Sequence, residues 1–361
     1  MKDWIFEANQ IKGLDPAWRQ KAKTRLREQT RPEGSLGVLE SFLERLVAIQ
    51  KMEKPDTRRK RILIFAADHG VAEEGVSLYP KEVTKAMVVN FLNGGATVNA
   101  LARQIHAEVL VVDIGVDADF GNDPRLIHAK IGRGTRNLAR ESAMTEEQFE
   151  RAMNTGWQLV HQAKDDGIHL LALGEMGIGN TTAASCVIAA MTERSAEEVA
   201  GRGTGLNDAQ LAHKTAVIQK ALNLHRTLCI DPCSVLRQVG GFEIAAMTGA
   251  ILAAARLNIP VVVDGWIVSA SVLAAVHLNP AVLDYLFFAH QSEEKGHRAL
   301  LQSLEVQPIL NLSMRLGEAS GAAFAMGILD AAVRVYNETA TFKEAQVAGK
   351  KEPETFSDKT S

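Results

Sequence analysis

The amino-acid sequence predicts an α/β protein built on a doubly wound parallel sheet, and three observations carry that prediction. Short apolar runs recur along the chain: Ile62–Ala67, Val109–Val112, Leu170–Leu173, Val261–Val263 and Tyr285–Phe288. They are apolar at successive positions instead of alternate ones, as expected for strands covered on both faces. Helical patterns lie between them, which parallel strands need for their crossovers. Finally, each run is followed by glycines and polar or acidic residues. These are Asp68-His69-Gly70, Asp113-Ile114-Gly115-Val116-Asp117, Gly174-Glu175-Met176-Gly177-Ile178-Gly179-Asn180-Thr181-Thr182, Asp264-Gly265-Trp266 and His290-Gln291-Ser292-Glu293-Glu294-Lys295-Gly296. Ligands of such sheets sit beyond the carboxyl ends of the strands, so five endings of this kind predict a polar crevice there.

The chain has 361 residues, 46% hydrophobic and 23% charged, which is enough for a large core plus a smaller appendage. A formal net charge of -3 excludes a general electrostatic pull toward nucleic acid or anionic membrane. Cys186, Cys229 and Cys233 make an odd count with no second closely spaced pair. That pattern suits reduced thiols in a cytoplasmic protein better than a zinc site or a disulfide framework. Acids interrupt the opening residues and no apolar run is long enough to span a bilayer, so neither secretion nor membrane insertion is expected.

Residues up to about 55 read as helical, with Val38, Leu39, Phe42, Leu43, Leu46 and Val47 on one face. Arg31–Gly37 before them has turn chemistry, and Lys54–Arg61 reads as a solvated linker because acids surround its basic residues. Within the sheet region, Gly174–Thr182 is the sharpest stretch. Its glycines bend into a helix opening with Asn180 and Thr181, residues suited to capping, so backbone N–H groups there suit an anion such as a phosphate. It is not a Walker loop, since no Lys-Ser/Thr pair follows. Two further glycine clusters, Gly201-Arg202-Gly203-Thr204-Gly205 ahead of Lys214 and Gly132–Asn137, read equally as structural turns or as anion contacts. Ser313–Gly327 sets one carboxylate, Glu318, between Gly317 and a run of small residues. By itself that acid could simply favour the positive end of a helix dipole. Ala345–Ser361 is rich in Lys, Glu, Gly, Ser and Thr and is expected to be disordered.

Five motifs in one order resemble a known family. Gly34-Ser35-Leu36-Gly37, Ala67-Asp68-His69-Gly70-Val71, the Gly174–Thr182 stretch, Asp264-Gly265 and Arg315-Leu316-Gly317-Glu318-Ala319-Ser320-Gly321 are similar to those of the nicotinate-nucleotide:dimethylbenzimidazole phosphoribosyltransferases, from about residue 30 to about 337. The resemblance implies a Rossmann-like large domain, a smaller helical domain made from both chain ends, and a homodimer. The domain plan that follows is 1–60 for the N-terminal helices of the small domain and 61–305 for the large domain. A C-terminal helical segment, 306–344, carries the key acid and completes the small domain, with the tail at 345–361.

The implied reaction moves ribosyl phosphate from nicotinate mononucleotide to 5,6-dimethylbenzimidazole, giving α-ribazole 5'-phosphate and nicotinate for the lower ligand of cobalamin. The leaving group departs as a neutral pyridine nitrogen, so the reaction calls for no acid, metal or cofactor at that step. The acceptor must lose its second ring proton, and a carboxylate within reach suffices as general base. The resemblance puts Glu318 in that role and Glu175 near the ribose. It makes Gly177, Lys214, Ser292 and Gly317 positions that hold the ribosyl phosphate or line its site, and Gly179, Asn180, Asp264 and Leu316 are expected to bind substrate beside them. Gly75–Met87 corresponds to the part that lines the base, and there Tyr79 stands where a small hydroxyl residue can occur and Met87 where a Gln can occur. Those departures leave open another acceptor, such as a different benzimidazole, another azole or adenine. A non-catalytic nucleotide-binding protein, or a dinucleotide oxidoreductase on the same kind of sheet, are the readings from other classes.

Overall fold

The computed structural model describes residues 3–203 and 205–348. Six strands form one sheet: β1 Lys60–Ala67, β2 Ala107–Gly115, β3 Leu126–His128, β4 Leu170–Met176, β5 Val261–Val263 and β6 Leu286–Phe288. Their order is β3-β2-β1-β4-β5-β6 and every pairing is parallel. The chain therefore winds one way from β1 to β3 and the other way from β4 to β6, the Rossmann arrangement, with its switch point between β1 and β4. Ile64 of β1 sits between Val111 of β2 and Gly174 of β4, and Leu173 is in register with Val263. All eight residues of β1 are buried, as a central strand with helices on both faces must be.

The sheet has one strand more than the sequence indicates. Leu126–His128 is a three-residue edge strand beside β2, buried only at Leu126. A run so short and half exposed leaves no hydrophobic pattern to read. Lys60 and Arg61 also depart from expectation, because both are buried within β1 instead of belonging to a solvated linker. Lys60 Nζ pairs with Asp330 at 3.3 Å, while Arg61 pairs with Glu108 at 2.7 Å and Asp166 at 2.8 Å. Their charges are matched at the strand's start, which is what allows burial.

The chain divides into two compact units. Among the described residues, one holds those up to Gly13 and Asp56–Asp330; the other holds Leu14–Pro55 and those from Ala331. The opening helix Asp3–Ala8 thus groups with the sheet and not with the helices after it. Trp4 Nε1 donates to Glu150 at 3.1 Å with its ring edge-on to Phe149, and Arg256 pairs with Glu7 at 2.7 Å. Residues 306–330, including Glu318, group with the sheet too, because helix Ser320–Glu338 starts against the strand ends and the division falls inside it. In the smaller unit, helices Pro16–Glu28 and Val38–Gln50 pack on each other and Gln29 Nε2 donates to Tyr336 O at 2.8 Å. Of the apolar face expected at 38–47, Phe42, Leu43, Leu46 and Val47 are buried, while Val38 is exposed.

At the far end, Ala345 and Gln346 lie in a turn, with Ala345 N donating to Thr341 O at 2.9 Å and Val347 N to Phe342 O at 3.1 Å. The rest of the expected tail, 349–361, lies outside the described residues. No described helix is long and apolar enough to cross a membrane.

Candidate active site

A cleft with about 930 Å³ of free space, including its open mouth, lies at the carboxyl ends of β4, β5 and β6. β4 delivers Glu175, buried, and then Gly177–Gly179 turns the chain into helix Asn180–Thr192. β5 ends at Asp264 and β6 leads into His290 and Ser292. From the fourth side comes the segment before helix Ser320–Glu338, with Leu316, Gly317 and Glu318 on the cleft.

The endings of β1 and β2 do not join it. Asp68 is used internally, its carbonyl accepting from Thr135 N at 3.0 Å and its carboxylate from Asp117 N at 2.8 Å. Asp113 pairs with Lys130 at 2.9 Å. The Gly132–Asn137 cluster closes over these strand ends, and its arginines pair with Asp119 and Glu141. The expected five-ended crevice is thus a three-ended one. Arg202 and Gly203, by contrast, do line the cleft, so the second glycine cluster contributes to its wall.

Glu318 is held by strained backbone. Gly317 (φ 82°), Glu318 (φ 62°) and Ala319 (φ 63°) are three left-handed residues in a row. Each non-glycine residue in that region costs about 1–3 kcal/mol and persists only where its surroundings fix it. Asp264 supplies much of that fixing. Its Oδ1 accepts Ala322 N–H at 2.9 Å, and the Gly321 and Ala319 amides face the same carboxylate. It thereby caps helix Ser320–Glu338 from outside the helix, while its Oδ2 has no hydrogen-bond partner among the described residues. Gly321 has no room for a side chain, since a Cβ there would stand 2.0 Å from His290 Nδ1.

Glu175 accepts from the Asn180 side-chain amide, and the Glu318 backbone N–H faces it. Asn180 is therefore a partner of the acid and not a helix cap. Gly179, at φ 97°, takes the cap position. Three carboxyls in one buried pocket hold their protons tightly. Burial, then the charges of Asp264, Glu243 and Glu318, push Glu175 up to about 8. Burial and Asp264 push Glu318 up to about 7. Burial also raises Asp264, opposed chiefly by His290.

Lys214, from helix Asp208–His225, stands at the other end of the cleft. It is buried, and its ammonium donates to Thr181 Oγ1 at 2.9 Å and Gly201 O at 3.2 Å, beside the start of helix Asn180–Thr192. An ammonium and a helix N-terminus together suit a phosphate. Ser292 is set by His297, whose Nδ1 accepts Ser292 N–H at 2.9 Å while its Nε2 meets Ser269 Oγ at 3.1 Å.

Of the catalytic and binding residues expected from the sequence, only Tyr79 and Met87 lie off the cleft. Tyr79 is exposed and Met87 half-buried on helix Glu82–Leu92. Val76 and Ser77 reach the cleft from the same segment in their place. Arg202, His290, Glu294 and Arg315 also line it. The glycine cluster and the strand-end passage pointed to the first three, and Arg315 adjoins Leu316, but nothing in their spacing distinguishes them from surface residues.

A phosphate-suited pole and a carboxyl-rich pole in one cleft of a Rossmann-type sheet define a nucleotide-handling α/β protein. A family model described as phosphoribosyltransferase matches residues 11–347. The nicotinate-nucleotide–dimethylbenzimidazole phosphoribosyltransferase of Geobacter metallireducens is 51% identical over 93% of this chain and 96% of its own length. That of Chloroflexus aggregans is 47% identical over 95% of this chain and 98% of its own. The crystal structure of CobT from Thermus thermophilus superposes with a TM-score of 0.88 at 42% identity, covering 92% of this chain and 99% of that one. The chain belongs to this phosphoribosyltransferase family.

Proposed function

We propose that the protein transfers ribosyl phosphate from nicotinate mononucleotide to 5,6-dimethylbenzimidazole, with Glu318 as general base. The observation that carries this is the position of Glu318: a buried carboxyl on a fixed, strained turn at the cleft, with its proton affinity raised to about 7. A base with that affinity is half deprotonated near neutral pH, where proton transfer is most effective. The bond between the ribose anomeric carbon and the pyridinium nitrogen breaks with its electron pair going to nitrogen, which releases nicotinate. An imidazole nitrogen of the acceptor bonds to that carbon, and the proton on its other nitrogen passes to Glu318. The product is α-ribazole 5'-phosphate.

Lys214 and the start of helix Asn180–Thr192 hold the phosphate. Glu175, fixed by Asn180, faces the ribose, where its raised proton affinity suits hydrogen bonding to a ribose hydroxyl at neutral pH. The free Oδ2 of Asp264 is left for a substrate hydroxyl. Apolar residues Val76, Ile178 and Leu316 give the acceptor ring a wall. A homodimer working in the cytoplasm completes the reading, and sedimentation of the purified protein checks the dimer.

Because Tyr79 and Met87 lie off the cleft, the departures there give no structural ground for a different acceptor, and the second reading, the same transfer to a differently substituted benzimidazole, rests on the sequence resemblance alone. Mass spectrometry after mixing the protein with nicotinate mononucleotide and 5,6-dimethylbenzimidazole tests the first reading, and a panel of bases tests the second. Absence of every riboside phosphate product would defeat both.

A further inference from the structure

His297 takes no part in the transfer described above and does not line the cleft, yet it is buried and its ring is held at both nitrogens. Ser292 N–H donates to Nδ1 at 2.9 Å. A backbone N–H can only donate, so Nδ1 carries no hydrogen and the neutral ring keeps its one hydrogen on Nε2. Nε2 then donates to Ser269 Oγ at 3.1 Å, and the Ser269 hydroxyl passes its own hydrogen to Gly265 O at 2.8 Å. Burial pushes the ring's pKa down to about 3, and a second proton on Nδ1 would in addition meet the Ser292 N–H head-on.

These three bonds run in one direction, from the loop after β6 to the residue that follows Asp264, and Ser292, His297 and Ser269 are all buried. Trp266 stands edge-on to the His297 ring, with centroids 6.2 Å apart. Gly296, just before His297, has no room for a side chain, since a Cβ there would stand 2.6 Å from the Trp266 ring. The imidazole is thereby locked in place, and its effect on the cleft falls on Ser292. With its N–H spent on His297, Ser292 has its hydroxyl left for a ligand. Oγ accepts Glu294 N–H at 3.2 Å, and the hydroxyl hydrogen has no acceptor among the described residues. A hydroxyl in that state can donate to a phosphate.

We propose that His297 is a positioning residue for the phosphate end of the cleft: a neutral ring in one fixed tautomer, it ties Ser292 to Ser269 and Gly265 and so offers the Ser292 hydroxyl, and not its amide, to the phosphate. This rests on the reading that Ser292 lines the site of the ribosyl phosphate. His297 touches no substrate and acts through Ser292. Loss of one hydrogen bond to a charged phosphate weakens binding about tenfold.

Asparagine and glutamine separate the two halves of the ring. In His297→Asn the amide oxygen falls near the place of Nδ1 and still accepts Ser292 N–H, whereas in His297→Gln the amide reaches toward Ser269 and leaves that N–H without an acceptor. Calorimetric titration of the full chain with inorganic phosphate and with nicotinate mononucleotide, alongside steady-state rates, tests the proposal. His297→Gln is expected to bind both about tenfold more weakly and to raise KM for nicotinate mononucleotide by as much, with kcat within about threefold. His297→Asn is expected to recover most of that loss, to within about threefold of the parent. Added to Ser292→Ala, His297→Gln should weaken phosphate binding no further, because the residue it acts through has already lost its hydroxyl. Parent-like phosphate affinity in His297→Gln, equal losses in the two variants, or losses additive with Ser292→Ala would each overturn the proposal. Should His297→Gln fail to fold, Ser269→Ala releases the far side of the ring and is expected to weaken phosphate binding about threefold or more, and parent-like affinity there overturns it equally. A parent protein that binds phosphate in this pattern but forms no riboside phosphate would instead sink the substrate reading and leave the positioning role standing.

Discussion

Asp264 Oδ1 accepts the Ala322 backbone N–H at 2.9 Å, which ties the end of β5 to the first turn of the helix that follows Glu318. The strained turn is thus anchored by a carboxylate from a different strand ending, and Glu318, the proposed base, keeps its place only while that anchor holds. Asp264→Ala is expected to lower stability by about 1–2 kcal/mol, the worth of a lost cap. Loss of the anchor also displaces Glu318, so kcat should drop by about 10²-fold, in keeping with the cost of a 1 Å misplacement. Denaturant unfolding and steady-state rates measured on one preparation check both. Full activity in a destabilised Asp264→Ala would separate the cap from the chemistry.

Glu318→Gln keeps the shape and removes the proposed proton acceptor. Turnover should fall by about 10²–10⁴-fold, the usual contribution of a general base, while nicotinate mononucleotide still binds. Single-turnover kinetics with a parallel binding titration would show this, and near-normal turnover would remove Glu318 from the mechanism.

The pH dependence has a defined sign. Glu318 must be deprotonated to accept a proton, and its pKa is raised to about 7, so kcat should rise with pH through about 7 and fall below it. Glu175, raised to about 8, lies close enough to couple, so the measured values belong to the pair. A rate profile with its acid limb near 4.5 would contradict the burial argument.

Stability should show the opposite trend. Glu175 and Glu318 hold protons more tightly in the folded chain than the ordinary 4.5 of an unfolded glutamate. Between about 4.5 and about 8 the native state therefore binds more protons than the unfolded one, and unfolding free energy declines as pH rises. Their contribution is fully present below the unfolded value and is lost as pH climbs through the folded one. Glu175→Gln should flatten the decline, which urea melts across that range would detect.

Gly321→Ala probes how closely the helix approaches β6. The added methyl would stand 2.0 Å from His290 Nδ1, with the His290 ring itself buried. A loss of about 1–3 kcal/mol from overpacking is expected, with reduced turnover because Glu318 is only three residues away. Thermal melts and rates of Gly321→Ala check it, and parent-like values for both would show that the His290 ring can yield.

The sequence by itself determined the strand runs of the sheet, apart from the short β3, because each buried strand is apolar at successive positions and periodicity is local. It also marked Glu318, Glu175, Gly177 and Lys214 through glycine-rich endings and the family motifs. Only the tertiary structure decided which strand endings face a common space. Asp68-His69-Gly70 and Asp264-Gly265 look alike as sequence, yet the first is consumed by Thr135 and Asp117 while the second reaches the cleft. It likewise decided that Lys60 and Arg61 are buried, since their partners Asp330 and Asp166 lie far along the chain. His297 came to Ser269 in the same way, by a meeting that no local pattern encodes. The pairing of charges across the fold depends on distances in space, and sequence spacing carries those only within a single helix or strand.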